Sequence, residues 1–252
     1  MRQVLRTALP VRAQKYLDKR HAATIVMAGD AVDIEREWAK ARKTDAAKDV
    51  RKVLRQMMGP RERCMYCVDS HGCDIEHFWP KSRYPNRAFQ WTNLLLCCTE
   101  CGRFKGDIFP ILNEKPMLID PTVEDPWLDL DFDPDTGNVV ARFDVQANDW
   151  SARGAKTVEV LQLDRREALE VVYKATFKRL SGVVQAQLSS SAIEAIQLRA
   201  ELSDADDHGL LRWCFGSTGK TVAPFSSLYQ KYPGIWAECE LAFGAVSRLP
   251  HK

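Results

Sequence analysis

The chain has 252 residues, 45% hydrophobic and 28% charged, with a formal net charge of +2. That length and balance suit a globular protein of one large domain or two small ones. No stretch approaches the ~18 consecutive apolar residues of a membrane span. The start, MRQVLRTALPVRAQKYLDKR, has neither the apolar run nor the cleavage site of a secretory signal, so a cytoplasmic protein without membrane contact is expected.

Charge is unevenly spread along the chain. Residues 1–63 carry 16 Lys/Arg against 8 Asp/Glu, whereas residues 111–150 carry 2 against 10. A basic arm that meets phosphates, or two blocks that neutralise each other in the fold, both fit this pattern.

In chain order, a short helix is expected after Pro10. A second helix starts from a cap at Asp30 and carries Val32, Ile34, Trp38 and Ala41. A third, Ala46 to Met58, places Ala46, Val50, Val53, Leu54 and Met57 on one face, with Lys48, Arg51, Lys52 and Arg55 opposite. Gly59-Pro60 ends it. Residues 64–110 form a cysteine module in which CDIEHF and NLLLCC read as strands, followed by a short helix at TECGRFKG. Short extended pieces follow, and the turn DPDTGN leads into VVARFDV as a hairpin. Asp164 with Glu167 reads as a capping box opening a helix to about Leu180. Val158, Leu161, Ala168, Val171 and Val172 read as a core stripe. Further helices are expected over Ser191–Glu201, over Asp207–Phe215 and after Pro233-Gly234. The four segments are thus a basic helical region (1–63), the cysteine module (64–110), an acidic segment with a hairpin (111–150) and a helical region (151–252), in a mainly helical α+β chain.

Six of the eight cysteines lie between Cys64 and Cys101. In a reducing compartment such clustering points to metal rather than disulfides. Cys64-Met-Tyr-Cys67 and Cys98-Thr-Glu-Cys101 are two C-x2-C knuckles, and tetrahedral zinc held by four thiolates needs two such turns brought together. A local set of Cys64, Cys67, His71 and Cys73 would strand Cys98 and Cys101. Cys97 is expected to point into the core, and Trp79, Phe89 and Trp91 to pack around the module.

Between the knuckles lie Asp74, Glu76 and His77 on a strand, a loop, Asn93 at the start of a second strand, and then a helix. This arrangement resembles the HNH nuclease family, the ββα-metal fold, over residues 64 to about 110. The run C-x2-C … D-I-E-H-F-x-P-K-S … N-L-L-L-x-C-x2-C … K-G looks most like the HNH proteins of the Septu and retron-associated anti-phage systems. IDPTVEDP and FDPDTGNVV extend a weaker likeness to about residue 180.

The resemblance implies a DNA endonuclease acting in antiviral defence, with an ABC-type ATPase as companion. It implies a structural Zn2+ at Cys64, Cys67, Cys98 and Cys101 and a catalytic Mg2+ or Mn2+ held by Glu76 and Asp74. His77 would be the base and Asn93 would tie the loop and orient it. The chemistry fits independently: phosphodiester hydrolysis needs an activated water and a Lewis acid, a histidine suits the first and carboxylates hold the second. Lys81, Arg83, Arg103 and Lys105 flank the site as candidate phosphate contacts. The chain departs from the family at its third signature position, normally His or Asn, which here is Gly102. Loss of that ligand admits an alternative, a catalytically degenerate zinc-stapled module that binds nucleic acid or a partner. A Cys–His hydrolase is disfavoured, because the cysteines near the histidine serve better as zinc ligands.

Overall fold

The computed structural model describes residues 1–26, 33–190 and 192–244, and it is mainly helical with four two-stranded antiparallel sheets among the described residues. It divides into two compact units, one of residues 3–126 with 152–162, the other of residues 127–151 with those from 163 onwards. This is not the four-segment order read from the sequence. The acidic segment splits at Pro126, and residues 152–162 join the first unit. Side chains of that return explain it. Thr157 Oγ1 accepts the Ile119 N–H at 3.1 Å, and Arg153 binds Glu124 and the Leu118 carbonyl.

In the first unit, α1 (Val11–Val26) follows Pro10. α2 (Ile34–Ala41) is capped by Asp33, whose carboxylate accepts the Arg36 N–H at 3.0 Å. The expected start at Asp30 and Val32 lies outside the described residues. α3 (Asp45–Met58) is capped by Thr44 and ends at Gly59, whose φ of +80° suits glycine. Ile34, Trp38 and Ala41 of α2, and Ala46, Val50, Val53 and Leu54 of α3, form the buried faces that helical spacing predicts, but Met58 rather than the expected Met57 completes the α3 face.

α3 packs on β2 (Leu94–Cys97), which is buried at every position, as its unbroken apolar run requires. β2 pairs antiparallel with β1 (Asp74–His77), Asp74 opposite Cys97 and His77 opposite Leu94. α4 (Thr99–Lys105) follows directly. A tight hairpin, β3 (Ile111–Leu112) and β4 (Lys115–Pro116), turns through Asn113 and Glu114 at φ +49° and +63°. IDPTVEDP is a structural clasp: buried Asp120 accepts both the N–H and the hydroxyl of Thr122, at 2.8 and 2.7 Å. α5 (Ala152–Leu161) completes the unit and packs against α4.

In the second unit, β5 (Leu130–Phe132) pairs with β6 (Val139–Ala141) across the expected turn. Asp133 caps that turn, and Gly137 sits at φ +90°, where a Cβ would meet the Glu170 carbonyl at 2.4 Å. β7 (Phe143–Asp144) and β8 (Asp149–Trp150) form a small exposed hairpin.

α6 (Glu167–Leu188) is longer than expected and has no side-chain cap. The Asp164–Glu167 box does not form, because Arg166 occupies the cap position. The expected stripe also breaks. Val158 and Leu161 are buried on α5, but Val171 is 67% exposed, since the interruption between α5 and α6 resets the helical phase. Leu169, Tyr173, Leu180 and Val184 take its place.

α7 (Ala195–Ala205) starts later than Ser191, which lies outside the described residues. α8 (Leu211–Cys214) is shorter than expected, because the Asp206 carboxylate accepts the N–H groups of Gly209, Leu210 and Leu211 just before it. α9 (Phe225–Lys231) and α10 (Pro233–Gly244) close the unit. No described helix is long and apolar enough to cross a membrane.

Candidate metal centre and the adjoining cleft

The two knuckles converge. The sulfurs of Cys64, Cys67, Cys98 and Cys101 all lie within 4.8 Å of one another, and all four residues are buried. Four Zn–S bonds of about 2.3 Å in a tetrahedron place sulfurs about 3.8 Å apart, and Cys67 and Cys98 are 3.9 Å apart. The backbone is shaped for thiolates: Cys64 Sγ accepts the Tyr66 N–H, and Cys98 Sγ, at the cap of α4, accepts the Cys101 N–H, both at 3.4 Å. Hydrogen bonding from Cys101, then Cys64, drives the Cys98 thiol well below its ordinary pKa. Four buried sulfurs at this spacing fit a structural zinc ion. His71 and Cys73 are not part of the cluster. Cys73 instead contacts Thr99 Oγ1 at 3.2 Å, and Cys97 is buried as expected.

Beside the cluster, β1, α2 and α4 enclose a cleft of about 380 Å³. Asp74, Glu76 and His77 all line it. Strand alternation puts His77 on the opposite face from the two carboxylates, but β1 ends at His77, so both faces contribute to one space.

His77 is 5% exposed, and its Nε2 lies 3.0 Å from the Ala88 carbonyl oxygen. A carbonyl only accepts, so Nε2 carries the proton and the neutral ring keeps its lone pair on Nδ1. Burial, reinforced by Lys81, pushes the His77 pKa down to about 3. The ring is also fixed by Trp38 of α2, edge-on at 4.4 Å between centroids.

Asn93 holds this arrangement from behind. Its Oδ1 accepts the Trp79 N–H at 2.7 Å, and its Nδ2 donates to the carbonyls of Trp79 and Arg87 at 3.1 and 3.0 Å. Arg87 precedes Ala88, so Asn93 positions the carbonyl that orients His77. With 2% exposure and its amide fully engaged, Asn93 ties the loop, the part the resemblance gives it, and presents no free group to the cleft. Sequence reasoning missed the support behind Asn93. Half-buried Arg6 donates to the carbonyls of Trp91, Thr92 and Leu94 and to Thr122 Oγ1.

Lys105 is a correction. Expected as a phosphate contact, it is fully buried, and its Nζ donates to Glu76 Oε1 at 2.7 Å and to the His77 carbonyl at 2.8 Å. Burial raises the Glu76 carboxyl above its ordinary pKa, against the pull of Lys105. The other oxygen, Oε2, lies 3.9 Å from where a Cβ at Gly102 would stand, so position 102 does face Glu76. Lys81 lines the cleft paired with Glu35 at 3.0 Å, and Arg103 lines it exposed. Arg83 is exposed but does not line the cleft. Trp79 and Phe89 pack against Phe109 and Trp38, as expected for module packing.

The basic N-terminal block is partly neutralised at home. Arg12 pairs with Asp49, Arg20 with Glu37 and Lys48 with Asp45.

Replacing Lys105 with methionine is expected to lower the unfolding free energy by about 3–5 kcal/mol, the range for breaking a buried ion pair on one side only. The double variant Lys105→Met, Glu76→Gln is expected to recover part of that loss in urea melts. A single variant as stable as wild type would show that the pair is not tightly formed.

Fold and site thus define a mainly helical α+β protein with a four-cysteine metal-binding cluster beside a polar cleft. In sequence the chain is similar to the Septu protein PtuB of Bacillus thuringiensis, with 31% identity over 112 residues. The match covers 42% of this chain and spans 38% of the length of that relative. No family model matches the chain.

Proposed function

We propose that the chain is a metal-dependent endonuclease of the HNH type, hydrolysing DNA phosphodiester bonds as the effector of an anti-phage defence system. The observation that carries this reading is His77, whose Nε2–H is committed to the Ala88 carbonyl so that Nδ1 keeps its lone pair, in a residue that lines the same cleft as Asp74 and Glu76. The similarity to a Septu protein supports the defence setting, and the resemblance of the motif supports an ABC-type ATPase as companion.

Glu76 and Asp74 would hold a Mg2+ or Mn2+ ion; hard cations prefer such oxygens, and magnesium keeps several waters where protein ligands are few. Bound there, the ion would polarise the scissile phosphate. His77 Nδ1 accepts the proton of the attacking water, and Trp38 and Asn93 keep the ring aimed. Lys105 holds one oxygen of Glu76, leaving Oε2 toward the cleft.

A specific observation favours a second reading. Gly102 brings no ligand, and the Lys105 ammonium already compensates Glu76. Both would suit a zinc-stapled module that binds without cutting. Nicking of supercoiled plasmid by the full chain, dependent on Mg2+ or Mn2+ and abolished by EDTA, is the expected result. DNA binding with no nicking under either ion, even with the companion ATPase present, would favour the binding module.

A further inference from the structure

We propose that Arg42, at the C-terminal end of α2 and outside the cysteine module, is a phosphate-anchoring residue of the cleft. It acts with Arg103 of α4 on the nucleic-acid backbone that passes His77. The inference rests on the nuclease reading of the same cleft.

Arg42 and Arg103 reach the cleft from two different helices, and both are exposed. Among the described residues neither guanidinium has an ion-pair or hydrogen-bond partner. That is unusual here, because carboxylates are close by. Glu35 is taken by Lys81 and Glu76 by Lys105, so these two cations are compensated while the arginines are not. Arg42, Arg103, Lys81 and Lys105 are four cations against the three cleft carboxylates Glu35, Asp74 and Glu76, so the cleft keeps a cationic excess for an anion. Guanidinium matches phosphate oxygens in a bidentate fork and is lightly hydrated, and two of them on different helices can hold successive phosphates of a backbone. Contacts of this type give affinity without reading sequence.

The position of α2 adds a second argument. Trp38 from the same helix packs on the His77 ring. The helix that fixes the base therefore also carries the anchoring cation, which ties the placement of the phosphate to that of the imidazole. The open wall at Gly102, directly before Arg103, leaves that side without a blocking side chain.

The test is binding of fluorescein-labelled duplex and single-stranded DNA to the full chain, without added divalent metal, by anisotropy across a salt series. Arg42→Ala and Arg103→Ala are each expected to weaken binding about 3- to 10-fold and to reduce the slope of log K against log salt by roughly 0.9 per lost phosphate contact. Lys19→Ala, an exposed charge on α1 that does not line the cleft, is expected to leave both unchanged. If wild type binds DNA but Arg42→Ala behaves like Lys19→Ala, the anchoring role is overturned while the nuclease reading stands. If wild type binds no DNA, both fall together.

Discussion

Cys98→Ala is expected to reduce bound zinc from about one equivalent per chain to near none and to unfold the module around it. Structural zinc in small thiolate sites is worth about 10–16 kcal/mol near neutral pH, comparable to or larger than the whole net stability of a typical domain. Cys98 carries more than a ligand here. It caps α4, accepts the Cys101 N–H, and directly follows β2, the buried strand to which β1 is paired. Losing it frees both knuckles at once, because each holds the ion only in concert with the other. Elemental analysis measures the metal, and thermal melting with and without EDTA measures its share of stability. Cys73→Ser separates the two possible ligand sets. Cys73 faces Thr99 rather than the cluster, so zinc content is expected to stay at wild-type level. A folded, zinc-free Cys98→Ala protein with an unchanged melting point would refute the staple.

What the sequence made legible were features whose chemistry is local. Two C-x2-C turns identify their ligands by spacing alone, and the structure brings those four sulfurs together. The apolar face of α3 and the fully buried β2 follow from periodicity, and Gly59 follows from its positive φ. What stayed hidden depended on contacts between distant segments. Lys105 reads as a surface phosphate contact in GRFKG, yet its ammonium is buried on the carboxylate of β1. The only available signal was its place three residues after Gly102 on a short helix, on the side facing the strand. Arg6 looked like part of a basic arm, but its guanidinium fastens the turn before β2. The unit boundary was invisible because residues 152–162 return to a partner found earlier in the chain. The Asp164–Glu167 box failed for a local reason: a matching pattern needs the helix to start at the right residue, and it starts at Glu167.

His77→Ala is expected to lower nicking by about 10²- to 10⁴-fold, the usual range for removing a positioned general base. Geometry argues that no neighbour takes over. Glu76 is bound by Lys105, and Lys81 is paired with Glu35. Asp74 lies on the same cleft but three residues away, at the far end of β1. The substitution also leaves the buried Ala88 carbonyl without its donor and opens space beside Trp38, which together cost about 1–3 kcal/mol or somewhat more. A drop in rate must therefore be read on protein that keeps its zinc and its DNA affinity. Neither the four cysteines nor the two guanidiniums is bonded to the imidazole, so zinc content and most of the DNA affinity are expected to survive. Rate loss with zinc and binding intact would place the lost function at Nδ1. Undiminished nicking by such a protein would instead mean that the water is activated elsewhere, and His77 would be left as a packing partner of Trp38.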